Sequence, residues 1–416
     1  MEGVVSTITA CRSCGSPLHR TLVDLGEQPL ANSYLTPDEL AAGTERRYPL
    51  VARVCDACWL VQVDDVVAAE EIFAEYAYFS SYSTSWVEHA RRFAERAVAE
   101  LDLGSKSLVI EVASNDGYLL RHFADLGVPV LGIEPAANVA KAAHDAGIPT
   151  EVQFCGAATA AALTGTHGRA DLVVANNVMA HVPDLNDFVA GLSAFLAPDG
   201  LLSVEVHSLL QLLNATAFDT IYHEHFSYFS VLAASPALER SGLRLVGVEQ
   251  LPTHGGSIRL WAAHAGSSHP VDASVPAAID AERRAGLDRV DAYQDFSERV
   301  DEVRADLRAF LDRARADSRS VVAYGAAAKG NTLLNACNVT NADIAYVVDR
   351  NEYKQGRFLP GSHLEIRDPS EVEVTKPDFL VILAWNLRDE ITEQMRVIEG
   401  WGGRFVVPIP SVEVLT

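Results

Sequence analysis

The chain reads as an α/β protein: a doubly wound, mainly parallel sheet, preceded by a small metal-stapled unit and followed by a second, smaller α/β unit. Three observations predict this. Apolar strand-like runs alternate with helical stretches between residues 107 and 206, as in a parallel sheet whose crossovers are helices. The alternation restarts at about residue 318. Ahead of both, two C-x-x-C pairs, Cys11 with Cys14 and Cys55 with Cys58, sit in turn-rich text too poor in periodic elements to build its own core.

A chain of 416 residues exceeds one hydrophobic core, so two or three domains are expected. With 49% hydrophobic and 21% charged residues, the composition is that of packed domains. The 33 basic and 56 acidic residues give a net charge of −23. Without a segregated basic patch, that charge excludes a nucleic-acid partner. The longest apolar runs, such as 379–385, are too short to cross a bilayer, so no membrane partner is expected. The N-terminus lacks the basic segment and apolar core of a signal peptide, and a cytoplasmic location is the expectation.

Residues 1–70 form the first unit. In a reducing compartment, matched C-x-x-C pairs are metal ligands more often than disulfides. Four thiolates suit a structural, tetrahedral zinc ion that stands in for a missing core and leaves no open position for catalysis. The second unit spans 71–272. Its expected strands are 107–112, 128–133, 171–175 and 201–206, with helices at 118–125 and 138–146. A connecting helix is expected over 273–317, because Tyr293, Phe296, Val300, Val303, Leu307, Phe310 and Ala314 recur at steps of three and four. The third unit, 318–416, has expected strands at 320–324, 344–348 and 379–384 and a helix at 326–335.

Ligands of doubly wound sheets bind outside the carboxyl ends of the strands. At the first such end lies Glu111-Val-Ala-Ser-Asn-Asp-Gly117. Its single glycine permits close approach of a ligand, and its acidic residues can meet a cationic amino acid moiety. The G-x-G-x-x-G that receives a pyrophosphate is absent. A ligand without phosphate is therefore indicated, and S-adenosylmethionine is the common one for this sheet. Glu134 and Pro135 end the second strand, where a carboxylate can bind both ribose hydroxyls, and Asn176-Asn177 end the third. The expected donor set is Glu111, Asn115, Asp116, Gly117, Glu134, Pro135, Asn176 and Asn177.

Residues 218–230 are unlike core text. They gather Tyr222, His223, Glu224, His225 and Tyr228 among apolar neighbours, a composition suited to an enclosed polar site. Read as a strand, His223-x-His225 would face one side as a metal pair, but no third ligand is evident. An imidazole is also the group best matched to proton transfer near neutral pH. Methylation at carbon needs such a base, since a C–H beside a carbonyl must be removed.

The four cysteines, the 111–117 loop, Tyr222-His-Glu-His225, His254-Gly-Gly-Ser257 and Tyr324-Gly-Ala-Ala-Ala-Lys329 together resemble the nucleotide-sugar C-methyltransferase family, along the whole chain and in the same order. The resemblance implies a class I methyltransferase sheet between a zinc-binding N-terminal domain and a C-terminal Rossmann-like domain. It implies methylation of carbon 3 of a 4-keto deoxysugar in antibiotic or polysaccharide pathways, with S-adenosylmethionine and a nucleotide-sugar as ligands. His225 would be the general base, with Tyr222, Glu224 and His181 beside it. Tyr76 would lie near the donor, Tyr78 and His254 near the sugar, and Gly325, Lys329 and Asn331 near the nucleotide. Val206-His-Ser-Leu209 departs from the acidic, Pro-Tyr-containing stretch of antibiotic-pathway members, which leaves sugar and nucleotide open. A monomer is the working expectation. The competing readings are an O- or N-methyltransferase on a related molecule, an NAD-dependent oxidoreductase using the third unit, and a nucleotide-sugar binding module without catalysis.

Overall fold

The structure, a computed structural model, describes residues 8–64, 67 and 80–415. Three sheets organise them. The first joins β1 (Arg20–Gln28), β2 (Tyr48–Val54) and β3 (Val61–Val63) into an antiparallel meander. Between β1 and β2 a short helix, Pro37–Ala42, is held by a capping box of Thr36 and Glu39.

The central sheet carries β4 (Val109–Val112), β5 (Val130–Ile133), β6 (Thr150–Glu151), β7 (Ala170–Asn176) and β8 (Leu196–His207). A two-residue strand, β9 (Ser227–Tyr228), leaves this chain segment to pair with β3, so the first sheet is completed from outside its own unit. β10 (Leu243–Leu251) and β11 (Ser257–His264) close the central sheet. Its order is β10-β11-β8-β7-β4-β5-β6, with β11 antiparallel to both neighbours. That order reverses beside β4, which makes the carboxyl end of β4 the switch-point crevice. It is the class I methyltransferase arrangement, as expected. β7 and β4 are buried along almost their whole length, as strands covered on both faces must be.

The third sheet contains β12 (Val321–Tyr324), β13 (Val347–Val348), β14 (Ile366–Arg367), β15 (Phe379–Ile382), β16 (Arg404–Val407) and β17 (Glu413–Val414), in the order β14-β13-β12-β15-β16-β17. All pairs but the last are parallel.

One expectation fails here. The stretch read as a single connecting helix is three helices, Ser274–Arg284, Asp291–Gln294 and Phe296–Ala316. Gly286, at φ +85°, ends the first by adopting a backbone that an L side chain disfavours. The apolar period nonetheless marks one buried face. Tyr293, Phe296, Val300, Val303, Leu307, Phe310 and Ala314 are all buried, in a cluster that also holds Leu22 of the first sheet and Val321 of the third.

Candidate active site and metal centre

The four cysteine sulfurs lie within 4.8 Å of one another. Cys11 Sγ is 3.6 Å from Cys58 Sγ, and Cys14 Sγ is 3.5 Å from Cys55 Sγ. The edge of a ZnS4 tetrahedron with 2.3 Å bonds is about 3.8 Å, so the donor set fits zinc with little adjustment. The two knuckles are built alike. The Cys11 and Cys55 N–H groups donate to the carbonyls of Ser16 and Leu60, and Gly15 and Trp59 donate back to Cys11 and Cys55. Gly15 and Trp59 both take positive φ, +74° and +61°. Gln62 Nε2 donates to Cys11 Sγ at 3.3 Å, a bond that favours a thiolate there. The module is fastened to the central unit: Arg12 reaches the Pro183 carbonyl at 3.0 Å, and Arg240 the Ser13 hydroxyl at 2.8 Å.

At the switch-point crevice, the loop after β4 turns through Ala113, Asn115 and Gly117, all at positive φ. A Cβ on Gly117 would stand 2.9 Å from Ile148, so glycine is required there by space as well as by φ. Glu111 is buried and neither carboxylate oxygen has a hydrogen-bond partner of normal geometry. Burial pushes its carboxyl well above the usual range, against the Tyr118 hydroxyl beside it. Asp116 Oδ1, Asn176 Oδ1 and Asn177 Oδ1 are likewise buried without a partner. Glu134 accepts from the Asn115 and Ala136 N–H groups at 2.9 and 2.8 Å, and Pro135 lies partly buried between. Buried acceptors without donors are costly unless a ligand supplies donors. An amino acid ammonium and ribose hydroxyls, as S-adenosylmethionine offers, fit this set. Ser80 and Ser81 close over the loop, their N–H groups donating to Asn115 Oδ1 and Asp116 Oδ2 at 3.0 and 3.1 Å.

Beyond the ends of β7 and β8 lies a nest of imidazoles. The His225 ring is 4.6 Å from His181 and 5.3 Å from His207, and His207 is 5.3 Å from His254. His225 Nδ1 is 3.0 Å from the Thr220 carbonyl, which can only accept, so the proton sits on Nδ1. Its Nε2 lone pair then receives the Tyr222 hydroxyl at 2.7 Å. Burial lowers His225 well below 6.5, with His181 and His207 adding to the effect, and it lowers His181 and His254 to about 4. These rings are neutral at pH 7.

The His223-x-His225 spacing does not lie on a strand. His223 and Glu224 form a turn, so the two imidazoles part company. His223 Nε2 donates to the Pro49 carbonyl at 3.2 Å and its ring meets Tyr48 edge-on, both in β2. Glu224 Oε1 accepts from Asn32 N–H and Nδ2, each at 3.2 Å, and burial raises its carboxyl. Among the described residues, only the four cysteines converge as a metal site.

The third unit reaches the same place. Gly325, at φ +99°, ends β12, and Ala326 N–H donates to Asp349 Oδ2 at 2.8 Å. Lys329 is half-buried, donates to Asn386 Oδ1 at 2.7 Å and lies over the Trp385 ring. Asn331 is buried in helix Ala328–Ala336 and accepts from Asn335. Tyr76 and Tyr78 lie outside the described residues.

Several site residues escape sequence reasoning. Glu205, fully buried, takes Arg259 at 2.6 Å, Thr253 Oγ1 at 2.8 Å and His89 at 2.9 Å. Asp219, also fully buried, accepts from Trp385 Nε1 at 2.7 Å. His207 had a signal in the sequence: the unusual Val206-His-Ser stretch sits at a strand end, where ligands bind.

Three family models match the chain: a putative zinc binding domain over residues 11–73, a methyltransferase domain over 86–248 and a C-methyltransferase C-terminal domain over 252–410. C-methyltransferase NovU of Streptomyces niveus is 38% identical over 416 residues, covering 100% of this chain and 99% of that one. A ubiquinone biosynthesis O-methyltransferase of Rhodopseudomonas palustris is 28% identical over 152 residues, 32% of this chain and 60% of that one. A solved magnesium protoporphyrin IX methyltransferase of Synechocystis with bound S-adenosylhomocysteine is 14% identical, with a TM-score of 0.35 over 47% of this chain and 93% of that one; this likeness is too remote to carry an argument. Fold and donor crevice thus define an S-adenosylmethionine-dependent methyltransferase with a zinc-binding domain. Within that class, the chain belongs to the C-methyltransferase family that includes NovU.

Proposed function

We propose that this C-methyltransferase methylates carbon 3 of a nucleotide-linked 4-keto deoxysugar, with His225 as the general base. The observation that carries the reading is the His225 imidazole: its tautomer is held by the Thr220 carbonyl, and its Nε2 is a buried, neutral lone pair. The bound donor supplies an electrophilic methyl carbon. Nε2 takes the proton from the carbon beside the ketone, and the charge left there delocalises onto the carbonyl oxygen. The Tyr222 hydroxyl, released from Nε2, is the nearby donor for that oxygen. His181 and His207 flank the ring at 4.6 and 5.3 Å and, as neutral imidazoles, offer further polar contacts.

Glu111, Asn115, Asp116, Gly117, Glu134, Pro135, Asn176 and Asn177 hold the donor in this reading. Tyr76 adds to that set, and Tyr78 and His254 to the sugar site. Glu224 keeps Asn32 and the first unit against the acceptor segment. Gly325, Lys329 and Asn331 serve the nucleotide: a half-buried ammonium at the start of a helix is suited to phosphate. The four units proceed as 1–70 for zinc, 71–272 for methyl transfer, 273–317 as connector and 318–416 for the nucleotide-sugar.

The experiment is solvent deuterium exchange at the substrate carbon together with turnover. His225→Asn should lower both by about 10²–10⁴ while donor and sugar still bind, and His223→Asn, whose ring packs on β2, should leave exchange intact. Full exchange in His225→Asn refutes the assignment, and methylation without any exchange in the unmodified enzyme favours an oxygen or nitrogen acceptor.

A further inference from the structure

We propose that Trp385 and Asp219 form the contact through which the C-terminal unit positions His225, making both of them positioning residues for proton abstraction. The inference rests on His225 being the base.

Asp219 is 0% exposed, and only one of its carboxylate oxygens has a partner, the indole N–H of Trp385 at 2.7 Å. Burial raises its carboxyl to about 6, against the nearby Lys329 ammonium, the Trp385 N–H and the neighbouring backbone N–H groups. The acid is also the charge that raises the Lys329 ammonium against its own desolvation. What the acid gains is a directed bond across the junction of two units, 166 residues apart in sequence.

That bond ends next to the base. Asp219 lies in the turn Phe218–Thr220, and the carbonyl of the adjacent Thr220 is the group that fixes the His225 tautomer. A shift of Asp219 therefore passes through one peptide unit to the atom orienting the imidazole. The other side of the indole holds the far end of the histidine nest. A Cβ on Gly255 would stand 2.7 Å from the Trp385 ring edge, so the ring lies directly on the turn that carries His254. From His254 the rings continue through His207 to His225. One indole thus braces both ends of the acceptor cluster. It does so from the carboxyl end of β15, beside Lys329 and Asn386.

The test measures deuterium exchange at the carbon next to the ketone of a nucleoside-diphosphate-linked 4-keto-6-deoxyhexose, with S-adenosylhomocysteine in the donor site, alongside kcat, KM and donor affinity. Trp385→Phe removes the indole donor and withdraws the ring edge that lies on Gly255. It should lower exchange and kcat by the same factor, about 10- to 100-fold, with KM and donor affinity nearly unchanged. Asp219→Leu should lower exchange by a similar factor and also move KM, because Lys329 loses its counter-charge, whereas Asp219→Asn, whose amide oxygen still accepts from the indole, should recover most of the exchange rate. Should Asp219→Leu fail to fold, Trp385→Phe and Asp219→Asn decide. Undiminished exchange in Trp385→Phe, or a loss confined to a raised KM, overturns the positioning role while leaving His225 as the base. No exchange in the unmodified enzyme removes the base itself, and this inference with it.

Discussion

Replacing Glu205 by alanine should cost this protein about 3–5 kcal/mol of stability. Glu205 is fully buried and serves three donors: Arg259 at 2.6 Å, Thr253 at 2.8 Å and His89 at 2.9 Å. Removing it leaves the guanidinium of Arg259, itself 3% exposed, with one ion-pair contact, to Glu249 at 3.5 Å. The Arg259 Nε already lacks a partner, and the ring of Phe93 covers the guanidinium at 4.3 Å, so water has little access. Stranding one member of a buried pair costs about 3–5 kcal/mol. For a unit of this size, where 1 kcal/mol moves Tm by about 2–4 °C, the expected drop is roughly 6–20 °C. The loss should reach the acceptor site too, because Thr253 precedes His254 in the turn that Glu205 holds. Calorimetric and denaturant unfolding of the full chain measures it. The pair Glu205→Leu with Arg259→Met removes both charges and should recover most of the loss. A Glu205→Ala penalty below about 1 kcal/mol, or a double variant less stable than the single one, would show that the charge pair is not what holds this junction.

Metal analysis of protein purified without chelator should find one zinc per chain, and Cys58→Ser should lower stability more than it alters the chemistry, since the ion replaces a core; absence of zinc sinks both expectations. Glu134→Ala should weaken donor binding by about 1–3 kcal/mol in a titration, and an unchanged dissociation constant would exclude it from the donor site. The buried histidines should cost stability as pH drops from about 6.5 toward 4. His181, His223 and His254 stay neutral in the fold down to about 4, while their unfolded forms take up protons near 6.5. Each contributes up to about 1.4 kcal/mol per pH unit in that window, offset in part by the buried carboxyls of Glu111, Asp219 and Glu224, which hold protons in the fold there; ring proton resonances of these histidines that titrate near 6.5 in the folded protein contradict their burial.

The local rules reached far into this molecule. The C-x-x-C pairs announced a four-sulfur centre, because a C-x-x-C turn brings two sulfurs together without help from the rest of the chain. Strand and helix alternation named the central sheet, and it put Glu111, Glu134 and Asn176 at strand ends that the winding of parallel strands brings to one edge. The period of 293–314 marks a buried face, yet it runs across the break between helices at Asp295, since apolar spacing is indifferent to a turn that preserves phase. His223 and His225 show the limit most clearly. Two residues apart, they look alike in sequence, but a turn sends one to β2 and the other into the imidazole nest. Asp219 with Trp385, and Glu205 with Arg259, carried no signal at all. Their partners lie 166 and 54 residues away, and such pairing is decided only when separate elements pack, because a buried charge is tolerated by what the fold sets beside it and not by its neighbours along the chain.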